Sequence, residues 1–201
     1  YSERTGTIKS EGLVSFLGNQ AGDSGGVIWA EGRTLVSFTG QTVLNRNFAA
    51  ISAGAVALNG ADLEINDQVS FQENSALHYG GVITSRGQSH IIVNGEPKFE
   101  QNCAKYGGGL FVGQLGLLDI NGQASFVANH AEIGGALNIQ DAELNANGTV
   151  VFRANDALLQ GGAVSSSGKV KLHLSGVSLI RNQAGQQGGA IYLETDSELK
   201  V

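Results

Sequence analysis

One period runs through the whole chain, and it settles the architecture before any local reading. A glycine followed by small and then aliphatic residues recurs at Gly26, Gly54, Gly81, Gly108, Gly135, Gly162 and Gly189, spaced by 28 residues once and by 27 thereafter. A second glycine precedes six of these, at Gly25, Gly80, Gly107, Gly134, Gly161 and Gly188, while Ala53 fills that place before Gly54. Nine or ten residues ahead of each sits a large apolar residue: Phe16, Leu44, Phe71, Phe99, Phe126, Phe152 or Leu179. Each of those has Asn three residues later, at Asn19, Asn47, Asn74, Asn102, Asn129, Asn155 and Asn182, and Ala two residues after the Asn. Four residues before the Phe position a further glycine falls in five units (Gly12, Gly40, Gly95, Gly122, Gly148), with Asp67 the exception and Gly176 displaced by one.

Within each unit the alternation has period two, as in Leu63 and Ile65 followed by Val69 and Phe71, which is the signature of strand. The second and fourth residues after each glycine are mostly apolar (Ile28 and Ala30, Leu137 and Ile139), and the third varies from Trp29 to Ser165. The spacing predicts three short strands per unit, with no room for a crossover helix, so the chain must coil. The expected fold is all-β: a right-handed, three-sided parallel β-helix of seven coils of about 27 residues, with residues 1–201 forming a single repeat segment. Coils stacked at ~4.8 Å make a rod roughly 34 Å long. Composition agrees, since Gly numbers 30 and Pro only 1, which suits glycine at fixed positions rather than in flexible linkers.

The Phe positions read as an internal stack and the Asn positions as a ladder of amides along the axis. The glycines read as corners that need positive φ or close backbone approach. Net charge is −6 with 12 scattered Lys and Arg, which disfavours a nucleic-acid partner. No apolar run is long enough to span a membrane, so no membrane contact is expected of this segment. The start at Tyr1 has neither Met nor a signal-peptide pattern, and reads as an excised or processed piece. The single Cys, Cys103, cannot form an internal bridge and is expected to be exposed.

The tetrapeptide Gly-Gly-Ala-Ile at 188–191 and Phe-x-x-Asn at 126–129 resemble the paired repeats of the chlamydial polymorphic membrane proteins, in the same alternating order over all seven units. The resemblance implies a fragment of a larger autotransporter passenger, exported to the outer membrane and held on the bacterial surface or released after processing. It also implies a virulence-linked adhesin that attaches the bacterium to a host-cell receptor, protein or glycan. By that resemblance the adhesion motifs are Phe16-Asn19 with Gly25-Gly26, Phe71-Asn74 with Gly80-Gly81, and Phe99-Asn102 with Gly107-Gly108. They continue through Phe126-Asn129 with Gly134-Gly135, Phe152-Asn155 with Gly161-Gly162, and Asn182 with Gly188-Gly189. Self-association through open coil ends is a further expectation, because an end coil offers unpaired backbone groups.

Local function belongs to outward positions, where Trp29, Phe111 and Tyr192 share the third place after the glycine, three coils apart, as candidate surface contacts. A passive stalk is the alternative role. A β-helix lyase or hydrolase is the rival from another class, and it needs carboxylates set together. In register the candidates run Asp62, His90, Leu117, Glu143 and Glu64, Ile92, Asp119, so in neither column do acids fall on neighbouring coils, although Asp62 and Glu64 could share an outward face. No catalytic, cofactor or metal site is assigned: His78, His90, His130 and His173 fall in four columns, and Gly107-Gly108-Gly109 lacks the lysine of a phosphate loop.

Overall fold

The computed structural model describes residues 6–201. Tyr1 and the three residues after it, read above for a leader, lie outside the described residues. Every strand pair is parallel, and strands one coil apart in sequence are neighbours in space, as in Phe71 beside Phe99 and Phe99 beside Phe126. The described residues form a β-solenoid of about 7 turns of ~27 residues, without helix among them, as the repeat requires.

Each coil carries four strand segments rather than three, gathered into one ladder of 8 strands and three of 7. In the third coil these are Asp62–Ile65, Val69–Gln72, Ser75–Ala76 and Ile83–Arg86, here called faces one to four. The unforeseen segment is face three, directly after the Asn. It is only two residues long in this coil, too short for alternation to reveal it.

Face two holds the Phe column. Phe71, Phe99, Phe126 and Phe152 are each at most 1% exposed, and successive rings stack with centroids 4.7, 4.6 and 4.8 Å apart. The coil rise and the stacking distance of aromatic rings are nearly equal, so one ring per coil fills the column without strain. Leu44 substitutes in the same register and is fully buried, whereas Leu179 in the last full coil is partly open.

The Asn column closes the corner between faces two and three. Asn74 Nδ2 donates to Asn102 Oδ1 at 3.1 Å and to the Leu44 carbonyl at 2.7 Å, and its backbone N–H donates to the same Asn102 oxygen at 2.9 Å. Identical bonds run through Asn102, Asn129 and Asn155. Each buried amide is therefore satisfied along the axis, as burial demands. The residue before each Asn has positive φ even where it is not glycine: Arg46, Glu73, Gln101, Ala128, Ala154 and Arg181 lie between 53° and 58°. A left-handed non-glycine residue costs roughly 1–2 kcal/mol, and the amide ladder holds it there. Nothing in these variable residues announces that conformation.

The glycine pair divides the two roles expected of it. Gly107 has φ 68°, while Gly108 is not left-handed; a Cβ on Gly108 would run into the carbonyls of Gly135 and His130 in the next coil. A second amide ladder, missed in the sequence, lines the exposed corner after face one. Asn94, Asn121 and Asn147 each donate to the preceding member of the series that starts at Asn66, at 2.9, 3.2 and 3.4 Å. Its signal was the Asn directly before Gly95, Gly122 and Gly148.

Candidate functional site

The repeat motifs face inward. Asn47, Asn74, Asn102, Asn129 and Asn155 are 0% exposed, and the backbone-crowded glycines offer no side chain. Their side chains are occupied in building the coil, so what the solenoid presents to a partner is the set of outward columns between them.

Face four is the most differentiated of these surfaces. Its outward columns run Trp29, Ala57, Thr84, Phe111, Asn138, Ser165, Tyr192 and, two residues on, Glu31, Asn59, Arg86, Gly113, Gln140, Ser167. Beside them stands a ridge formed at the turn before the glycine pair, in which Tyr79, Tyr106, Ile133 and Gln160 succeed one another. Where the strand residues are small, at Asn138 and Ser165, the larger residues of the ridge stand beside a shallow trough that runs between Phe111 and Tyr192.

Phe111 departs from the exposed aromatic expected at its position: it points outward yet is 4% exposed. Its ring packs against Tyr79 with centroids 4.8 Å apart, and the Arg86 guanidinium lies 4.5 Å from the Tyr79 ring centroid and 5.6 Å from that of Phe111. Room for the ring comes from Gly113, where a Cβ would stand 2.8 Å from Phe111 Cε1. Tyr79 and Tyr106 stack at 5.2 Å. The result is an aromatic cluster capped by a cation, of the kind that holds a surface rigid. Trp29 is exposed and Tyr192 half-buried, and the three candidate contacts remain three coils apart.

On face one the acids keep the register read from the sequence, with His90 between Asp62 and Leu117, and Ile92 between Glu64 and Asp119. The diagonal contact was not foreseen. His90 Nε2 lies 2.7 Å from Asp119 Oδ2, Asn145 Nδ2 donates to the other oxygen of Asp119 at 2.9 Å, and His173 Nδ1 meets Asn145 Oδ1 at 2.9 Å. Asp62, on the other side of His90, accepts its backbone N–H at 3.1 Å, and a similar pair joins His130 Nδ1 to Asp156 Oδ2 at 2.9 Å on face three, so these contacts read as surface networks rather than as an acid–base pair set for proton transfer. Among the described residues no group of three or more His, Cys, Asp and Glu side chains is arranged to hold a metal ion. Cys103 is exposed, though packing around its sulfur desolvates it enough to push the thiol pKa up.

Residues 13–31, which contain Phe16, Asn19 and the Gly25-Gly26 pair, match the Chlamydia polymorphic membrane protein repeat. That stretch is one repeat unit of the kind found in the chlamydial polymorphic membrane proteins. Two relatives from Chlamydia muridarum (strain MoPn / Nigg) extend the likeness beyond that one unit. Probable outer membrane protein PmpG is 29% identical over 192 residues, 94% of this chain and 17% of the relative. Probable outer membrane protein PmpA is 31% identical over 117 residues, 49% of this chain and 12% of the relative. The chain thus spans less than a fifth of these polymorphic membrane proteins. No solved structure matches it.

Proposed function

We propose that this segment is part of the surface-exposed passenger of a bacterial outer-membrane protein and attaches the bacterium to host cells through its outward faces. The observation that carries the reading is the division of labour within the coil. The repeated Phe and Asn residues are buried and hydrogen-bonded within the stack, leaving long outward columns that change from coil to coil on a rigid frame. Both relatives are named probable outer membrane proteins, which supports a position at the outer membrane or cell surface. The motif side chains act in adhesion as the frame, and the contacts to a host protein or glycan come from the variable columns. Repetition supplies strength, because weak contacts on successive coils add through effective concentration.

Beads coated with the chain are expected to bind epithelial cells above beads coated with an unrelated β-helix, soluble chain should compete, and removing coils should weaken attachment by degrees. A folded chain that binds no host cell type returns the segment to the second reading, a passive stalk. That reading is favoured by the uniform ladders alone. A lyase or hydrolase has less support, since no face-one column sets acids on consecutive coils, and Asp119 and Glu143, on neighbouring coils, stand in different columns. Turnover of polyuronates or other glycans, with or without Ca²⁺, that is lost on mutating Asp62, Glu64, Asp119 or Glu143 would establish it.

A further inference from the structure

The floor of the face-four trough holds polar side chains that the solenoid does not use. Asn138 is 5% exposed and Ser165 2%, they sit side by side on adjacent coils, and neither side chain makes a hydrogen bond among the described residues. Elsewhere in the same column Thr84 gives its hydroxyl to the Tyr79 carbonyl at 2.9 Å, so the position can be satisfied internally. Native proteins leave few such groups without a partner. Among the described residues, the side-chain oxygens that are both sealed from solvent and unpartnered are those of Ser52 and Ser85. The polar atoms of Asn138 and Ser165 are not among them, and both residues line an open depression of about 320 Å³.

The depression has a directional build. Tyr106, Ile133 and Gln160 form one wall, Gln140 and Ser167 the other, and Phe111 and Tyr192 close the ends. From Phe111 to Tyr192 is three coils, about 14 Å at the rise of a parallel stack. Amides and hydroxyls on the floor both donate and accept, the partly exposed Tyr106 and Tyr192 offer apolar ring surface, and no Lys or Arg lines the site, whose one charged residue is Glu194. A ligand matching this has hydroxyl edges, apolar faces and no negative charge. An extended peptide fits poorly. The strands of Asn138 and Ser165 are paired on both sides, so no free strand edge is left to satisfy a peptide backbone.

We propose that the depression centred on Asn138 and Ser165 binds a neutral oligosaccharide, with the floor side chains bonding its hydroxyls and Phe111 and Tyr192 flanking its ends. This names the ligand class for the adhesive reading above and rests on it only for the biological source of the sugar.

The test is an array of neutral, sialylated and sulfated glycans probed with the 201-residue chain, followed by calorimetric titration with a retained neutral member. Neutral glycans are expected to be retained and charged ones not. Asn138→Ala is expected to weaken binding by about tenfold or more, without lowering the melting temperature, because the amide has no protein partner to lose. Ser165→Ala should act in the same direction, and Ser125→Ala on face two should leave titration unchanged. Retention of charged glycans alone, capture of peptides with no neutral glycan bound, or an Asn138→Ala protein that titrates like the parent overturns the proposal. Cell attachment is read separately: beads that bind cells while the array stays blank remove the oligosaccharide and keep the adhesin, and the converse result keeps the site and removes the adhesin.

Discussion

Asn129 Oδ1 accepts two hydrogen bonds from Asn102, one from its backbone N–H at 3.1 Å and one from its Nδ2 at 2.9 Å. Its own Nδ2 donates to the Phe99 carbonyl and to Asn155 Oδ1, both at 2.9 Å. One side chain thus satisfies groups on the coil before it and the coil after it, and ties three successive coils together. Replacing it by Ala strands buried donors and acceptors at about 1–3 kcal/mol each, so Asn129→Ala should cost at least ~3 kcal/mol in urea unfolding. Asn182→Ala, at the less buried end of the ladder, should cost less. Equal losses at the two sites would mean that the ladder is not cooperative.

Phe126 stacks between Phe99 and Phe152. Phe126→Ala opens a cavity in the column and should cost about 3–5 kcal/mol, whereas its outward neighbour Ser125→Ala should stay within about 0.5 kcal/mol. Denaturant melts compare the two directly, and similar midpoints would refute the inward register.

Gly108 and Gly32 separate two reasons for glycine. Gly32 has φ 65° with open space where the methyl group of an alanine would stand, so Gly32→Ala should cost only the left-handed penalty of roughly 1–2 kcal/mol. Gly108→Ala drives a methyl into the backbone of the adjacent coil and should cost about 4 kcal/mol or more, among the largest single-site effects. Thermal unfolding followed by circular dichroism orders them.

Desolvation raises the Cys103 pKa, which keeps the thiol protonated, and the thiolate is the nucleophile. At pH 7 iodoacetamide should therefore alkylate the folded chain more slowly than it alkylates the urea-unfolded chain, although Cys103 is exposed. The rate should rise only as pH passes above the usual thiol range. A folded rate equal to the unfolded one at neutral pH would show that the sulfur is fully solvated.

The sequence by itself determined the coil: its length, the inward Phe and Asn columns, the glycine corners and the absence of acids on consecutive coils within either column of Asp62, Glu64, Asp119 and Glu143. These are set by residues that recur at one spacing, and side-chain alternation within a strand is a local property that stacking copies from coil to coil. Tertiary structure decided the rest. Face three and the left-handed Arg46, Glu73 and Gln101 follow from the corner that the Asn ladder imposes, not from those residues' own preferences. Phe111 is buried because Tyr79, Arg86 and Gly113 surround an outward position, and Asn138 and Ser165 are little exposed because Tyr106 and Ile133 rise beside them. Such relationships join variable residues on different coils, and no period in the sequence records which large side chain will lean over which small one.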